Sequence, residues 1–184
     1  MSGVVDGIVA TGLSSIPNFV SQNFPIRMFP YSKVGLHFYW VNTITSPTYY
    51  ANNKELAENV QAGIAEGIKF MLLNPKEAME RHMKEHPELA LGKNGKLYVE
   101  LGEGLTCAIM MAPESIEHGL GYTDVEKIDK QAKVVKQYLG KPGDHDLPKA
   151  ETFVTNTGNA NLAKADWDRV KSTTKKYVEL LGQV

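Results

Sequence analysis

Two helical patterns joined at an Asn-Pro step constrain this chain more than any other passage in it. From Lys54 onward, Leu56, Val60, Ile64, Ile68 and Leu72 recur at every fourth residue and form one stripe of a long helix. Asn74 and Pro75 then mark a new start. Asn74 can cap the second helix with its side-chain oxygen, and Pro75 suits the first helical position, where no amide hydrogen is needed. Glu77, three residues after the cap, is placed to reach back to the cap amide. The second helix is expected over 75–85, with Ala78, Met79 and Met83 as its apolar positions and Pro87 as its stop.

Ahead of Lys54 the pattern is β-like. Val4, Val5, Ile8 and Val9 around Asp6 and Gly7 predict a buried strand followed by a loop. Ser14 to Val20 predicts a short helix with Pro17 near its first turn. Phe24 to Pro30 predicts a second short strand, and Gly35 to Ser46, dense in aromatic and β-branched residues, predicts a third. After the second long helix, GKNGK reads as a turn. Leu97, Leu101 and Leu105 predict a further helix weakened by Gly102 and Gly104. TDVE from Thr123 reads as a capping box. The helix it opens carries Val125, Ile128, Ala132, Val135 and Leu139 and closes at Gly140. Residues 141–161 read as loop, and Trp167, Val170, Tyr177, Val178 and Leu181 support a last helix from Asp166. The expected fold class is α/β with helices in excess, divided at 1–50, 51–165 and 166–184. Three strands alone need more partners or a covering layer.

The formal net charge of −1 gives no basic face for nucleic acid or an anionic membrane. Lys171, Lys175 and Lys176 read as a solvated helix face. Cys107 is the single cysteine, so no internal disulfide forms, and its apolar setting, LTCAIMM, predicts a buried, inert thiol. No apolar run approaches the ~18 residues of a membrane span. MSGVVDG lacks both the basic start and the apolar stretch of a signal peptide.

The passage AGIAEGIKFMLLNPKEAMERHMKEHPEL (62–89) resembles extracytoplasmic solute-binding proteins of the nitrate/sulfonate/taurine and thiamine-pyrimidine-precursor family. In them a helix is followed by Asn-Pro-x-Glu-Ala and a second helix closing on Pro-Glu/Asp-Leu. Further passages are similar to the same family in the same order. They are MSGVVDG, the strand-like YSKVGLHFYWVNTITSPTYYANNKEL, GLGYTDVEKIDKQAKVVKQYLG, and TFVTN at 152–156. The resemblance implies the C-terminal part of a two-lobed type II periplasmic-binding-protein-like fold. It further implies that the chain begins in mid-protein, which accounts for the missing signal peptide. Ile68 stands where the family often has Trp, and 166–184 extends past the usual end. The implied function is the substrate-binding component of an ABC importer, or a fragment of one, for a small solute such as nitrate, a sulfonate, taurine or a pyrimidine precursor. The parent protein would be periplasmic or extracytoplasmic and would deliver its solute to a membrane permease, with no chemical step and no cofactor. One alternative is an enzyme like the thiamine pyrimidine-precursor synthases, which would need a cofactor lysine, iron ligands and a reactive histidine, the early ones among them expected in the part that precedes this stretch in the family. Another is a fragment that self-associates through an unpaired strand edge without binding ligand.

Among the chemistry-bearing residues, HMKEH at His82–His86 matches an inverted zincin signature. His86 directly before Pro87 is better read as a cation at a helix C-terminus, and no further acidic ligand follows at recognisable spacing. Asp144, His145 and Asp146 read as solvated loop charges. Gly102-Glu103-Gly104 lacks the third glycine of a nucleotide fingerprint, and no Walker sequence or nucleophile elbow is present. Alternation puts Phe38 and Trp40 on one strand face and Tyr39 on the other. Asn42 and Thr43 follow at the strand's polar end. Thr11, Gly12 and Ser14 follow the first strand, where open α/β sheets hold ligands. The expected ligand-binding residues are therefore Thr11, Gly12, Ser14, Tyr39 and Asn42, with no catalytic residue and no metal.

Overall fold

The computed structural model describes residues 6–39, 41–141 and 143–183. Among them the α-helices are α1 (Gly12–Ser21), α2 (Pro47–Asn52), α3 (Lys54–Leu73), α4 (Pro75–Glu85), α5 (Gly95–Ile109), α6 (Pro113–His118), α7 (Val125–Leu139) and α8 (Lys164–Gln183). Short 3-10 turns occur at Tyr31–Val34, Pro87–Ala90 and Ala150–Thr152.

No strand or sheet occurs among the described residues; the one β-type pairing is an isolated antiparallel bridge between Leu120 and Ala160. This overturns the expected α/β class and, with it, the type II periplasmic-binding-protein-like fold, which needs sheets. The reason is that a strand exists only where a neighbour completes its hydrogen-bond ladder. Residues 24–30 and 36–39 have β-rich composition and no ladder partner, so they run without regular structure. Ile8, Val9, Val41 and Ile44, expected in strands, stand 60%, 87%, 75% and 88% exposed. Val4, Val5 and Trp40 lie outside the described residues.

The helices expected from the sequence are present as α1, α3, α4, α5, α7 and α8, whereas α2 and α6 were not expected. α4 begins at Pro75 and stops at Glu85, before Pro87. Its entry is built differently from the expectation. The Asn74 side chain makes no capping hydrogen bond. Glu77 binds Arg81 one turn on (Oε1 to Nη2 2.6 Å) instead of reaching back. The cap of α7 lies one residue later than expected: the Asp124 carboxylate accepts from the Glu126 and Lys127 amides at 2.9 and 3.3 Å. α3 buries Ala65 and Leu72, while Leu56, Val60 and Ile64 of the expected stripe stay about half exposed.

The described residues divide into two compact units, each assembled from separate stretches of chain. One comprises residues up to Arg27, Met71–Met110 and the chain from Asp168 onward. Its centre is α5, whose Val99, Leu101, Leu105, Cys107 and Ala108 are buried, with α1 and α4 packed on it. α1 contributes Ile16 and the fully buried Pro17. Asn94, at the start of α5, donates to the Ser21 carbonyl at the end of α1 (2.6 Å). Gly104 lets the Tyr177 ring lie against α5; a Cβ at 104 would overlap that ring.

The other unit comprises Met28–Phe70 and Met111–Trp167. Tyr50 of α2 donates to Glu58 of α3 (2.9 Å). The loop at Gly158 lies on the backbone of α3. A Cβ there would stand 2.9 Å from the Ala62 nitrogen and 3.0 Å from the Glu58 oxygen, at φ +72°, so both space and conformation favour glycine. The Ala150 amide donates to Asp129 of α7 (2.8 Å). Leu120 and Ala160, at the bridge, are both buried.

Candidate functional site

Three passages far apart in the chain meet around the start of α7. The Tyr39 hydroxyl accepts from the Asp124 amide at 2.9 Å. That leaves its own O–H available to donate. Asn156 binds Thr123 from both sides: its Oδ1 accepts from the Thr123 amide (2.6 Å), and its Nδ2 donates to the Thr123 carbonyl (2.9 Å). Gln131 of α7 donates to the His37 carbonyl (2.7 Å). Asp124 is fixed by its capping bonds, so the Tyr39 hydroxyl is held against a helix end.

The electrostatics of this junction centre on one ion pair. Lys127 bonds Glu114, and its ammonium also stands 5.4 Å from the Tyr39 ring centroid, within cation–π range. The hydrogen bond from Lys127 holds the Glu114 carboxyl below its ordinary value, and the same bond holds Lys127 above its own. Burial pushes the Tyr39 phenol up, against the Asp124 amide, which works to lower it. Nearby, Asn159 Oδ1 is buried without a hydrogen-bond partner.

The expected ligand residues fall in two groups. Thr11, Gly12 and Ser14 lie at the start of α1. The Thr11 carbonyl accepts from the Ser14 and Ser15 amides and from Ser14 Oγ at 3.1 Å. Among the described residues no strand leads into them, so the reason for choosing them, a sheet's C-terminal edge, is not met there. Tyr39 and Asn42 belong to the other unit. Tyr39 is half-buried at the junction, whereas Asn42 is exposed in a stretch without regular structure. Phe38 is 47% exposed, so it does not line a closed core.

The remaining chemistry-bearing groups are spent locally. His82 Nδ1 meets Glu103 Oε1 at 2.8 Å, and His86 Nδ1 meets Glu88 Oε1 at 3.2 Å, so the two histidines of HMKEH face different carboxylates. Asp146 pairs with Lys136, and Asp144 accepts from the Lys141 amide. Cys107 is buried, and burial with the Glu103 charge pushes its thiol up to about 11, which keeps it protonated and inert. Among the described residues no group of three His, Cys, Asp or Glu side chains is placed to hold a metal ion, and no helix is long and apolar enough to cross a membrane.

Sequence reasoning named Tyr39 but not its partners Asp124, Lys127 and Glu114, nor Asn156 as the clasp on Thr123. A capping box was legible at TDVE and a family resemblance at GYTD and TFVTN, but nothing in their composition pairs these stretches with Tyr39 or with each other. No family model matches the chain, and neither curated proteins nor solved structures give a match to it.

Proposed function

We propose that this chain acts in the capture of a small solute, as all or part of the substrate-binding component of an ABC importer, on the extracytoplasmic side and without a chemical step. The observation that carries the reading is the junction. Three of the passages that resemble the solute-binding family, at 31–56, 119–140 and 152–156, are linked by hydrogen bonds from Asp124 to Tyr39 and between Thr123 and Asn156. These bonds bring the passages to one place, which supports reading them as one site. Tyr39, with its hydroxyl proton available and a lysine over its ring, gives that site an aromatic surface and a donor suited to a small polar solute.

The test is isothermal calorimetry of the purified chain with nitrate, an alkanesulfonate, taurine and a hydroxymethylpyrimidine. The reading expects saturable binding of one class, weakened by Tyr39→Ala, and a rise in melting temperature with ligand, by about 2.7 kcal/mol of stabilisation at a hundredfold excess over Kd. Absence of binding for all four, or binding indifferent to Tyr39, would overturn it.

A further inference from the structure

Of the asparagines in the chain, only Asn94 stands directly before a glycine. That pairing carries a chemistry of its own. The main-chain nitrogen of the following residue can attack the asparagine Cγ, and a side chain on that residue hinders the approach. Gly95 has none. Hydroxide takes the Gly95 N–H proton, the N–Cγ bond forms, the Cγ–Nδ2 bond breaks, and the side-chain nitrogen takes a proton from water and leaves as ammonia. Water then opens the five-membered imide. Opening at Cγ gives aspartate. Opening at the main-chain carbonyl gives isoaspartate, in which the backbone runs through Cγ. Nothing is oxidised or reduced.

The folded chain holds Asn94 away from this reaction. Its Nδ2 donates to the Ser21 carbonyl at 2.6 Å, so the side chain is turned toward the end of α1. The Gly95 N–H donates to the Gly92 carbonyl at 2.9 Å, and Gly95 is buried. Asn94 has ψ 20°, which puts the Gly95 nitrogen on the far side of the Cα–C bond from Cβ, whereas ring closure needs the two eclipsed. To react, Asn94 must release Ser21 and turn its backbone. The first of these steps depends on α1, which is seated on α5 by Ile16 and Pro17. Water for the hydrolysis is at hand: a cleft of about 480 Å³, lined by Asn18, Gln22, Lys93 and Tyr98, lies beside Asn94.

The product does not fit back. Ionised aspartate has acceptors only, and it would face the Ser21 carbonyl, another acceptor. The neighbouring Gln22 Nε2 already donates to Asn18. Helix α5 itself survives, because Asn94 makes no capping bond there and aspartate is a good N-cap. What is lost is the tie between α1 and α5.

We propose that Asn94 is a deamidation site gated by α1: seated on α5, α1 protects the amide, each opening exposes it, and conversion leaves α1 unable to re-form its bond to Asn94. The proposal does not rest on the importer reading.

Peptide mapping by mass spectrometry at mildly alkaline pH follows the amide-to-acid exchange at Asn94 in the intact chain. Conversion is expected to be at least about tenfold slower in the folded chain than above its urea midpoint. Below the midpoint, added urea should raise conversion at Asn94 and amide hydrogen exchange across α1 in parallel. Ile16→Ala, which thins the packing of α1, should speed conversion several-fold, and Gly95→Ala should suppress it. Asn94→Asp should speed amide exchange in α1 several-fold. The proposal is overturned if folded and unfolded chains convert alike, if another asparagine converts before Asn94 in the unfolded chain, if conversion does not track exchange in α1, or if Asn94→Asp leaves that exchange unchanged. The urea series uses the unaltered chain, so it decides the matter even where Ile16→Ala does not fold.

Discussion

The Tyr39 hydroxyl accepts a hydrogen bond from the Asp124 amide, joining residues 85 positions apart in the chain. The bond reaches the capping residue of α7, so one aromatic side chain ties an otherwise irregular stretch to a helix start. Tyr39→Phe removes the acceptor and keeps the ring. The expected loss is about 0.5–1.5 kcal/mol, read as a lower urea midpoint with an unchanged slope. An unshifted midpoint would mean that water replaces the phenol at no cost.

Gly158 and Gly67 are expected to respond in opposite directions to alanine. Gly158 has positive φ and lies on the α3 backbone, so Gly158→Ala must move main chain and should destabilise by more than about 1 kcal/mol. Gly67 is inside α3 with open space at its Cβ position, and Gly67→Ala should stabilise by up to about 1 kcal/mol. Thermal melts of the two variants side by side give the comparison.

Gly104→Ala places a methyl into the Tyr177 ring. Overpacking of this kind costs about 1–3 kcal/mol. The double variant with Tyr177→Leu should recover part of the loss, because the shorter side chain vacates the contact. A double-mutant cycle with zero coupling would show that the ring does not lie against α5 in solution.

The Glu114–Lys127 pair makes stability depend on pH at both ends. The Glu114 carboxyl is held below its ordinary 4.5 by Lys127, so its contribution is present above that value and lost as pH falls through the lower folded pKa. Lys127 is held above its ordinary 10.5 by Glu114, so its contribution is full below that value and lost as pH rises through the higher folded pKa. The pair's contribution is expected to be full and independent of pH near neutrality, so that urea midpoints fall only on the acid and alkaline sides. Glu114→Gln should lower the neutral midpoint and flatten the acid limb.

Much of the helical part of the chain was legible because its signals are local. Pro75 and Pro87 bound α4 through the geometry of their own rings, and four-residue spacing marked α3. Cys107 was readable as buried from its apolar neighbours. The strand expectations failed at Ile8, Val9, Val41 and Ile44 because β composition describes a surface that fits a sheet, and no sheet is there to receive it. The Asn74 cap and the Glu77 reach-back failed for a different reason. Arg81, one turn away, offers Glu77 a charged partner, and the Glu77 carboxylate pairs with it rather than with the cap amide.

The candidate site divides in the same way. Tyr39 could be picked from its aromatic run, but Asp124, Glu114 and Lys127 could not be assigned to it from spacing. The Glu103–His82 contact spans 21 positions and links a motif that resembled a metal site to a carboxylate in a different helix. By itself the sequence determined where most of the helices lie, to within a residue or two at their ends, since those choices depend on groups within about one turn of each other. The tertiary structure alone decided which face of α3 turns inward, which carboxylates find a cation and which oxygen of Glu103 finds nothing. Those outcomes depend on contacts between groups that share no local signal, and only packing brings them within reach.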